Sequence, residues 1–369
     1  MQDSYLCAAV CAAKPAPVRF RLFSLALPVC IWGMWAVLSG CALDPRAAAV
    51  WSGDLSLPEF TGSSMPAADT VVLGFSEPVT VASASMITAD RNLALDIPAS
   101  VPAAEARLLL PEVPPPGDPF VLSVTVENAG GNTLSLSESF SGYNPRVPAL
   151  RICEVRTVYS KPRAEFIELE ALEAGNLSGV RIETYGVSRS KPKNTVYEFP
   201  PAEVQKGDLV VLHYRCLPDP SVPEFADETG SDLALPGGKD ASDTARDFWF
   251  PHDKAPLSVP GVFLVRERKS GALLDALLYV DSGGDKTEVP YDWMLAAARE
   301  AVSSGVWTAS GEGNGGTGGF PAFDACGTTA TRTLCRDSAV PGSSPAGWYV
   351  CASGKASPGK PNSGERYQP

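Results

Sequence analysis

Histidine is almost absent from this chain, which contains two, His213 and His252. His213 belongs to a run of alternating apolar and polar residues typical of a strand, and His252 follows an acidic stretch. A catalytic triad needs a histidine base beside a nucleophile, and the Gly-x-Ser-x-Gly sequence that presents such a serine does not occur. The sequence therefore predicts no catalytic residue, and neither histidine is assigned a role as a base.

Basic residues are also in short supply. The chain has 30 Lys and Arg against 42 Asp and Glu, which gives a formal net charge of −12. Binding to nucleic acid phosphates requires clustered Lys and Arg. The one dense basic cluster, Arg266 to Lys269, stands directly before Ser270-Gly271 and is typical of a solvated hairpin end. We therefore expect no nucleic acid partner.

Metal-binding patterns are missing as well. No Cys-x-x-Cys or Cys/His pair has the spacing of a zinc site, and the acidic stretch at 281–285 lacks the spacing of a calcium loop. Glu165 and Glu168 stand three apart in a predicted strand, so they point to opposite faces and cannot act together on one substrate. The sequence predicts neither a metal nor a cofactor.

The uncharged run from Leu22 to Leu38 is shorter than the ~20 apolar residues that a membrane-spanning helix needs. Its length suits the apolar part of a signal peptide, and Lys14, Arg19 and Arg21 supply the positive segment before it. The next residues, Leu38-Ser-Gly-Cys41, resemble a lipobox, the processing motif of bacterial lipoproteins. The resemblance implies cleavage before Cys41 and lipid on its thiol. Stable membrane anchoring through two or more acyl chains would follow.

Two alternatives to the lipobox are an uncleaved anchor and an ordinary secretory peptide with a chance cysteine. The lipoprotein interpretation is favoured because charge, apolar run and motif occur in the correct order. It implies a protein anchored in the cell envelope. The outer membrane or the surface is favoured, because Ala42 is not the Asp-type signal that retains some lipoproteins in the inner membrane.

Nine cysteines are present, and four of them, Cys7, Cys11, Cys30 and Cys41, belong to the signal peptide or the lipid site. In an oxidising compartment some of the other five should pair, and an odd number leaves at least one free. Cys326 and Cys335 lie nine residues apart across a Thr-rich turn and form the preferred disulfide. The five are Cys153, Cys216, Cys326, Cys335 and Cys351.

Frequent Gly and Pro with few charges disfavour long helices and favour short strands joined by turns. About six such strands at even spacing in residues 68–147 predict a β-sandwich. One of them, Thr70 to Phe75, is expected to break at Ser76-Glu-Pro78. Phe75-Ser-Glu-Pro-Val79 and Gly131-Asn-Thr-Leu134 resemble motifs of the bacterial Ig-like domains of surface-layer and envelope proteins, which implies an Ig-like sandwich here.

A second ordered set of motifs fills residues 148–362. It is similar to the lamin-tail domain, another Ig-like β-sandwich, and implies the same fold for this part. The overall prediction is an all-β chain with two tandem Ig-like sandwiches. The motifs are Ile152-Cys-Glu-Val155, Glu165-Phe-Ile-Glu-Leu169, Leu177 to Ile182, Lys206 to Leu212, Gly271 to Tyr279, Thr331-Arg-Thr333, Trp348-Tyr-Val350 and Ser357-Pro-Gly-Lys-Pro-Asn362.

Two long insertions, at 217–258 and 281–330, interrupt this pattern, and the second contains a predicted short helix from Tyr291 to Val302. Loops of this length are usually functional or disordered. Phe248-Trp-Phe250, in the first insertion, predicts either an edge strand that tucks onto the sandwich or a partner-binding surface. Tucking is favoured, and Phe248, Trp249 and Phe250 remain the candidate partner-binding residues.

Two motifs match catalytic or nucleotide-binding patterns formally. Gly311 to Gly316 fits G-x-G-x-x-G, but glycine and Pro321 follow where a helix is required. Ser188-Arg-Ser-Lys191 fits S-x-x-K, but it lies in a polar turn and its usual partner motifs are missing. Both are interpreted as turns or loops.

The sequence thus predicts a non-catalytic envelope lipoprotein with a structural role or a role in binding a protein or polysaccharide. The alternative is an envelope hydrolase with its site in the insertions of the second domain. The expected organisation is a signal peptide at 1–40, a lipidated tether at 41–67, an Ig-like domain at 68–147, a lamin-tail-like domain at 148–362 and a tail at 363–369.

Overall fold

Nineteen β-strands and one α-helix make up the part of the chain that the computed structural model describes. This confirms the all-β fold class. Leu57–Pro369 form one compact unit, within which the strands form separate sheets in residues 57–147, here the first region, and 148–369, the second region. The structure describes residues 56–99, 101–160, 163–214, 240–250, 256–282, 288–309 and 319–369.

The first region is built on one sheet, sheet I, whose main path is β1-β2-β5-β6 and in which β3 and β4 also pair with β2. Its apolar interior is lined by alternate residues of the strands, as the period of two requires. The strands are β1 (Phe60–Ala67), β2 (Thr70–Ile87), β3 (Asn92–Ala94), β4 (Ala103–Leu109), β5 (Pro119–Asn128) and β6 (Thr133–Ser141).

The predicted break at Ser76-Glu-Pro78 is wrong, because strand β2 runs without interruption through these residues. Before them it pairs with β1 and β4, and after Val79 it pairs with β5. The register against β4 shifts between Gly74 and Val79. Proline lacks an amide hydrogen and is tolerated at such irregularities, so Pro78 marks a change of partner within one strand.

The tether predicted at 41–67 is too long, because Phe60–Ala67 form strand β1 and pair with β2 in a hairpin. The sequence does not predict this strand because its half-buried positions follow no regular alternation and none of its residues is fully buried. It lies at the edge of sheet I, where one face and one hydrogen-bonding side stay open to solvent.

The second region contains two larger sheets and one small one. Sheet II has the order β11-β10-β15-β16-β17, sheet III the order β14-β13-β8-β7-β18-β19, and β9 pairs with β12. The strands are β7 (Leu150–Arg156), β8 (Phe166–Ala171), β9 (Gly175–Asn176), β10 (Val180–Ser188), β11 (Lys191–Glu198), β12 (Glu203–Val204), β13 (Leu209–His213), β14 (Ala245–Trp249), β15 (Gly261–Glu267), β16 (Leu273–Val280), β17 (Phe323–Asp324), β18 (Leu334–Arg336) and β19 (Trp348–Val350).

Sheets II and III pack on each other across one hydrophobic core. Ile152 and Leu169 of sheet III share this core with Val262 and Leu264 of sheet II. Helix α1 (Asp292–Ser303) lies within one residue of its predicted position and adds one apolar face to the same core. The second insertion is therefore partly core structure. The buried residues of this face are Met294, Ala297, Ala298 and Ala301.

Two predicted hairpin turns are confirmed. Ser188 pairs with Lys191 at the end of the β10–β11 hairpin, and the two residues between them have φ of 49° and 61°. Positive φ at both central positions is the geometry of a type I′ turn, so the S-x-x-K match has no helix to support it. The predicted hairpin end at Arg266–Gly271 joins β15 to β16, and Gly271 there has a φ of 72°.

The two regions are joined by direct contacts. Asn144 donates hydrogen bonds to the carbonyl oxygens of Asn176 and Ser178, at 2.7 and 2.9 Å. A Cβ on Gly117 of the first region would lie 2.4 Å from Ser178 Oγ, so only glycine fits there. These polar and steric contacts hold the end of the first region against the second.

None of the helices in the described residues is both long and apolar enough to cross a membrane.

Candidate functional site

The outer face of sheet III, which points away from the core, carries several buried polar groups, among them Glu154, Glu168 and Thr333. Residues 357–362, here the C-terminal strap, lie over this face and bond to it. The strap is the predicted closing motif Ser-Pro-Gly-Lys-Pro-Asn. Its prolines lack amide hydrogens and disfavour a regular strand. Side chains of the sheet accept the amide hydrogens of Ser357 and Gly359 instead.

A β-bulge in β7 prepares this face. The register between β7 and β8 shifts between Ile152 and Glu154. Ile152 and Val155 point into the core, which leaves both Cys153 and Glu154 for the outer face. Bulges re-aim side chains in this way, and here the bulge places a thiol and a carboxylate beneath the strap.

The carboxylate of Glu154 anchors the start of the strap. It accepts hydrogen bonds from the amide and the hydroxyl of Ser357, at 3.0 and 2.9 Å, and from the hydroxyl of Thr333 at 2.5 Å. Glu154 is fully buried. Burial raises the pKa of this carboxyl, although the bonds from Thr333 and Ser357 oppose the shift.

Glu168 of β8 anchors the middle of the strap. Its carboxylate accepts a hydrogen bond from the amide of Gly359 and another from the thiol of Cys153, the latter at 3.0 Å. Burial, followed by the nearby charge of Glu154, raises the pKa of Glu168 well above its ordinary value. Burial also raises the pKa of the Cys153 thiol, so the proton stays on the sulfur and the thiol donates a hydrogen bond to Glu168.

The end of the strap is fixed by Asn362, whose side-chain amide donates to the carbonyl oxygens of Cys153 and Arg336, both at 3.0 Å. The position of Gly359 requires glycine for two reasons. Its φ is 71°, and a Cβ there would lie 2.5 Å from that of Ser242. The strap therefore fits closely against β14 and the segment before it.

A buried ion pair ties the two sheets of the sandwich together next to the strap. Arg336 of sheet III contacts the carboxylate of Asp275 of sheet II at 2.6 Å and also donates to the carbonyl oxygen of Ile152. The same carboxylate accepts the amide hydrogen of Ile152 at 2.7 Å. The side chains of both charged residues are less than one tenth exposed. The pair is therefore desolvated, and removal of either residue would leave the other charge buried without compensation.

His213 and Asp247 form a second buried pair, at the edge of sheet III. Asp247 Oδ1 lies 2.5 Å from His213 Nε2, and both side chains have no solvent exposure. Trp249 stacks on the imidazole with ring centroids 5.0 Å apart. His213 Nδ1 finds no hydrogen-bond partner among the described residues. Because the imidazole is covered on its face and has no solvent access, the pair braces β13 against β14.

A cavity of about 130 Å³ remains between the strap and the sheet. Its lining includes Cys153, Glu168, Arg336 and Asn362. Sites for small-molecule ligands usually measure roughly 300–1,000 Å³. The cavity is therefore the size of a solvent pocket, and its polar lining belongs to the contacts already described.

The predicted Cys326–Cys335 disulfide is not formed in the structure. Cys326 is exposed, Cys335 is buried, and both are free thiols. Cys335 belongs instead to a small buried cluster with Tyr349 and Cys351. The nine-residue spacing favoured Cys326, but the strand pairing that places Cys335 beside β19 is not visible in spacing alone.

For the three consecutive aromatic residues, the structure shows the edge-strand alternative. Phe248 and Trp249 lie on β14, which pairs in parallel with β13 at the edge of sheet III, and both are buried. Phe250 is half-buried and packs against the core. Phe248 belongs to the main core, whereas Trp249 is buried against Ala241 and His213. Buried side chains cannot contact a partner, so neither residue forms a binding surface here.

Alternation correctly separates Glu165 from Glu168. Glu165 lies on the core side near Tyr214 and Tyr279, whose pKa is raised first by burial and further by the charge of Glu165. Glu168 faces the strap instead. Several predicted features lie outside the described residues: Cys41, Cys216, His252, Gly311 to Gly316 and most of the insertion at 217–258. The outer-face carboxylate Glu154 and its partner Thr333 lie in two of the lamin-tail-like motifs, but nothing in those motifs indicates the hydrogen bond between them.

A groove of about 430 Å³ lies where the two regions meet. Its walls include Phe140 of β6 and Tyr143, which follows β6, together with Arg268 and Lys269 of the β15–β16 hairpin. Lys269 Nζ lies 3.6 Å from the centroid of the Tyr143 ring and 3.5 Å from the carbonyl oxygen of Pro66. Unlike the cavity under the strap, this groove has the volume of a ligand site and an open, mixed polar and aromatic lining.

Comparison with known proteins places the second region in a family. The family model TP_1001_2nd, described as a protein second domain, matches residues 148–350, more than half of the chain. The chain belongs to this family. The match covers sheets II and III and ends at the last residue of β19, so the C-terminal strap lies beyond it.

This chain is similar to a protein of Treponema pallidum (strain Nichols) that is described as uncharacterized. It is 34% identical over 223 residues, which cover 58% of this chain and 55% of the relative. The chain thus spans just over half the length of that relative.

Proposed function

We propose that this chain is a non-catalytic lipoprotein of a bacterial cell envelope, with a structural or partner-binding role. The observation that carries the proposal is that the buried ionisable groups on sheet III bond to the protein's own backbone. Glu154 and Glu168 bond to the backbone of the protein's own C-terminal strap. An active site needs such groups open to a substrate, whereas here they hold a segment of the chain in place.

The location rests on the lipobox resemblance at Leu38 to Cys41. Growth of the producing bacterium with an alkyne-tagged fatty acid, followed by capture of the tag, tests it. We expect label on the wild-type chain and none on Cys41→Ala. Cys30→Ala, in the apolar part of the signal peptide, is the matched control and should keep the label. Label that persists on Cys41→Ala would contradict lipidation at this residue.

The groove between the two regions is the surface that we propose for the partner, an envelope protein or polysaccharide. Full-length lipoprotein in detergent micelles would be incubated with isolated envelope fragments, and the bound fraction measured at increasing protein concentration. We expect saturable binding that Tyr143→Ala and Lys269→Ala weaken at least threefold. Lys191→Ala, on the exposed β10–β11 turn, should bind as wild type does.

Treatment of the fragments with a protease or with a glycan hydrolase distinguishes the two partner classes, since one treatment should abolish binding and the other should not. Equal binding by all three variants would remove the groove as the partner surface. Deletion of 217–238 tests whether the first insertion contributes to this binding. The longer deletion of 217–258 would also remove β14, whose Phe248 and Trp249 are buried, and would therefore confuse binding with folding.

A further inference from the structure

The buried cysteines at the foot of the C-terminal strap lie on neighbouring strands. Cys335 is on β18, opposite Tyr349 of β19. Cys351 follows β19 directly, and its amide donates to the carbonyl oxygen of Thr333 at 3.0 Å. Thr333 Oγ1 lies 3.1 Å from the sulfur of Cys351 and 3.5 Å from that of Cys335. One hydroxyl therefore contacts both sulfurs.

We propose that Cys335 and Cys351 form a disulfide, made with a small-molecule or protein disulfide donor before the strap closes over them. The bond would join β18 to the residue from which the chain leaves β19 and enters the strap. It is independent of the partner-binding role proposed above. It also replaces Cys326 as the bonding partner of Cys335.

The geometry needs one adjustment. A disulfide joins Cβ atoms about 3.8 Å apart, and residues on a diagonal between neighbouring strands are farther apart than directly opposite ones. Cys351 is diagonal to Cys335, but it lies just past Val350, the last residue of β19. Its backbone is thus held by an isolated bridge to Arg366 and the bond to Thr333, and can move toward Cys335 without disturbing a continuous ladder.

The chemistry is an exchange of two thiols for one disulfide. The Cys351 thiolate attacks one sulfur of the donor and releases the first donor thiol, which leaves a mixed disulfide. Cys335 then gives up its proton to solvent and attacks Cys351 Sγ, and the second donor thiol leaves. Two electrons pass to the donor. Where β18 and β19 have paired, the hydrogen bond between the two cysteines lowers the pKa of Cys351 and raises that of Cys335. Cys351 is therefore the first attacker if these strands pair before the strap closes.

Both thiols are fully buried in the folded chain, so the exchange has to take place during folding. The reduced, denatured full-length chain would be refolded in mild detergent with a mixture of reduced and oxidised glutathione. Free thiols would then be blocked, and the chain digested with trypsin without reduction. Because the donor is supplied in the test tube, the outcome does not depend on export or on the proposed function.

Tryptic fragments identify the pairing without ambiguity. Cys335 lies in the fragment 333–336, Cys351 in 337–355 and Cys326 in 300–332. We expect 333–336 linked to 337–355 in most of the refolded protein. A link from 333–336 to 300–332, or a blocked Cys335 thiol in folded protein, would overturn the proposal.

Thermal unfolding gives a second measurement. Addition of a reductant should lower the Tm of the refolded wild-type protein by several degrees and should leave the Tm of Cys335→Ser and Cys351→Ser unchanged. Cys326→Ser is the matched control and should stay as sensitive as wild type. An insensitive wild-type protein, or sensitivity lost only in Cys326→Ser, would also overturn the proposal. If the two serine variants fail to fold, the fragment mapping of the wild-type chain still decides.

Discussion

The two regions of the molecule close their interiors in different ways. In the described part of the first region, the buried polar residues are Thr70 and Asn128, and the remaining buried side chains are apolar. The second region buries carboxylates, arginines and a histidine, including Glu154, Arg336 and His213. Regular strands can bury alternate apolar residues without help. The second region additionally has to hold an irregular, proline-containing strap, and it does so with buried polar groups.

The comparison predicts that a buried charge in the second region matters far more than an exposed charge in the first. The largest effect is expected for Arg336→Met, which leaves Asp275 buried without its cation and the carbonyl of Ile152 without that donor. We expect the free energy of unfolding to fall by about 3–5 kcal/mol, measured by urea titration. A loss below about 1 kcal/mol would contradict the role of this pair between the sheets.

Asn128 provides the corresponding test within the first region, because it is a buried polar residue that bonds to backbone amides, as Glu154 and Glu168 do in the second region. Its side-chain oxygen accepts the amide hydrogens of Gly130 and Asn132, at 3.0 and 2.9 Å. Asn128→Ala leaves both turn amides without this acceptor and should destabilise the protein by about 1–3 kcal/mol. The exposed Asn92→Ala is the control in the same urea titration. Equal stability of the two variants would show that the side chain of Asn128 does not stabilise the first region.

The pH dependence sharpens the comparison further. The folded-state pKa of Glu168 is raised, so the folded chain holds this proton more tightly than the unfolded chain does. Its contribution to stability is present below the ordinary glutamate pKa and is lost as the pH rises toward the folded value, with a slope of at most about 1.4 kcal/mol per pH unit.

Glu168→Gln removes this titration, so its stability relative to wild type should increase as the pH rises from about 4, the ordinary range for glutamate. Urea titrations at a series of pH values measure the difference. Glu105→Gln, on the exposed side of β4 in the first region, provides the matched control and should give a flat difference. A flat difference for Glu168→Gln as well would show that the folded-state pKa of this carboxyl is not raised.

The smallest effect is expected for Arg91→Met in the first region. Arg91 makes a two-pronged contact with Glu112, at 2.6 and 2.9 Å, but half of its side chain is exposed. Exposed ion pairs contribute roughly 0–1 kcal/mol, and thermal unfolding should detect little change. A loss as large as that of Arg336→Met would remove the contrast between the two regions.

Local patterns in the sequence predicted much of the fold. Alternation identified most strands, the β10–β11 and β15–β16 turns followed from their turn residues, and the helix was placed within one residue of α1. These features depend on residues close together in the chain. Strand β2 was divided in error because Pro78 reads locally as a break, and its continuity depends on β5, which lies some 40 residues away.

The candidate site could not be predicted in the same way. Glu154 and Ser357 are 203 residues apart in sequence, and Glu168 and Gly359 are 191 apart. No period in the sequence reports such contacts. The resemblance to a lamin tail marked both segments as motifs, but the β-bulge that turns Cys153 and Glu154 to the same face is visible only in the strand register. The same holds for Cys335 and Cys351.

Hydrogen exchange at the strap tests the central claim most directly, namely that buried carboxylates hold the C-terminal strap in place. The amides of Ser357 and Gly359 should exchange as slowly in wild type as those of an interior strand. Glu154→Ala should speed exchange at Ser357 at least tenfold while Val124, in β5 of the first region, stays protected. Fast exchange of both strap amides in the wild-type protein, or unchanged protection at Ser357 in Glu154→Ala, would contradict the claim.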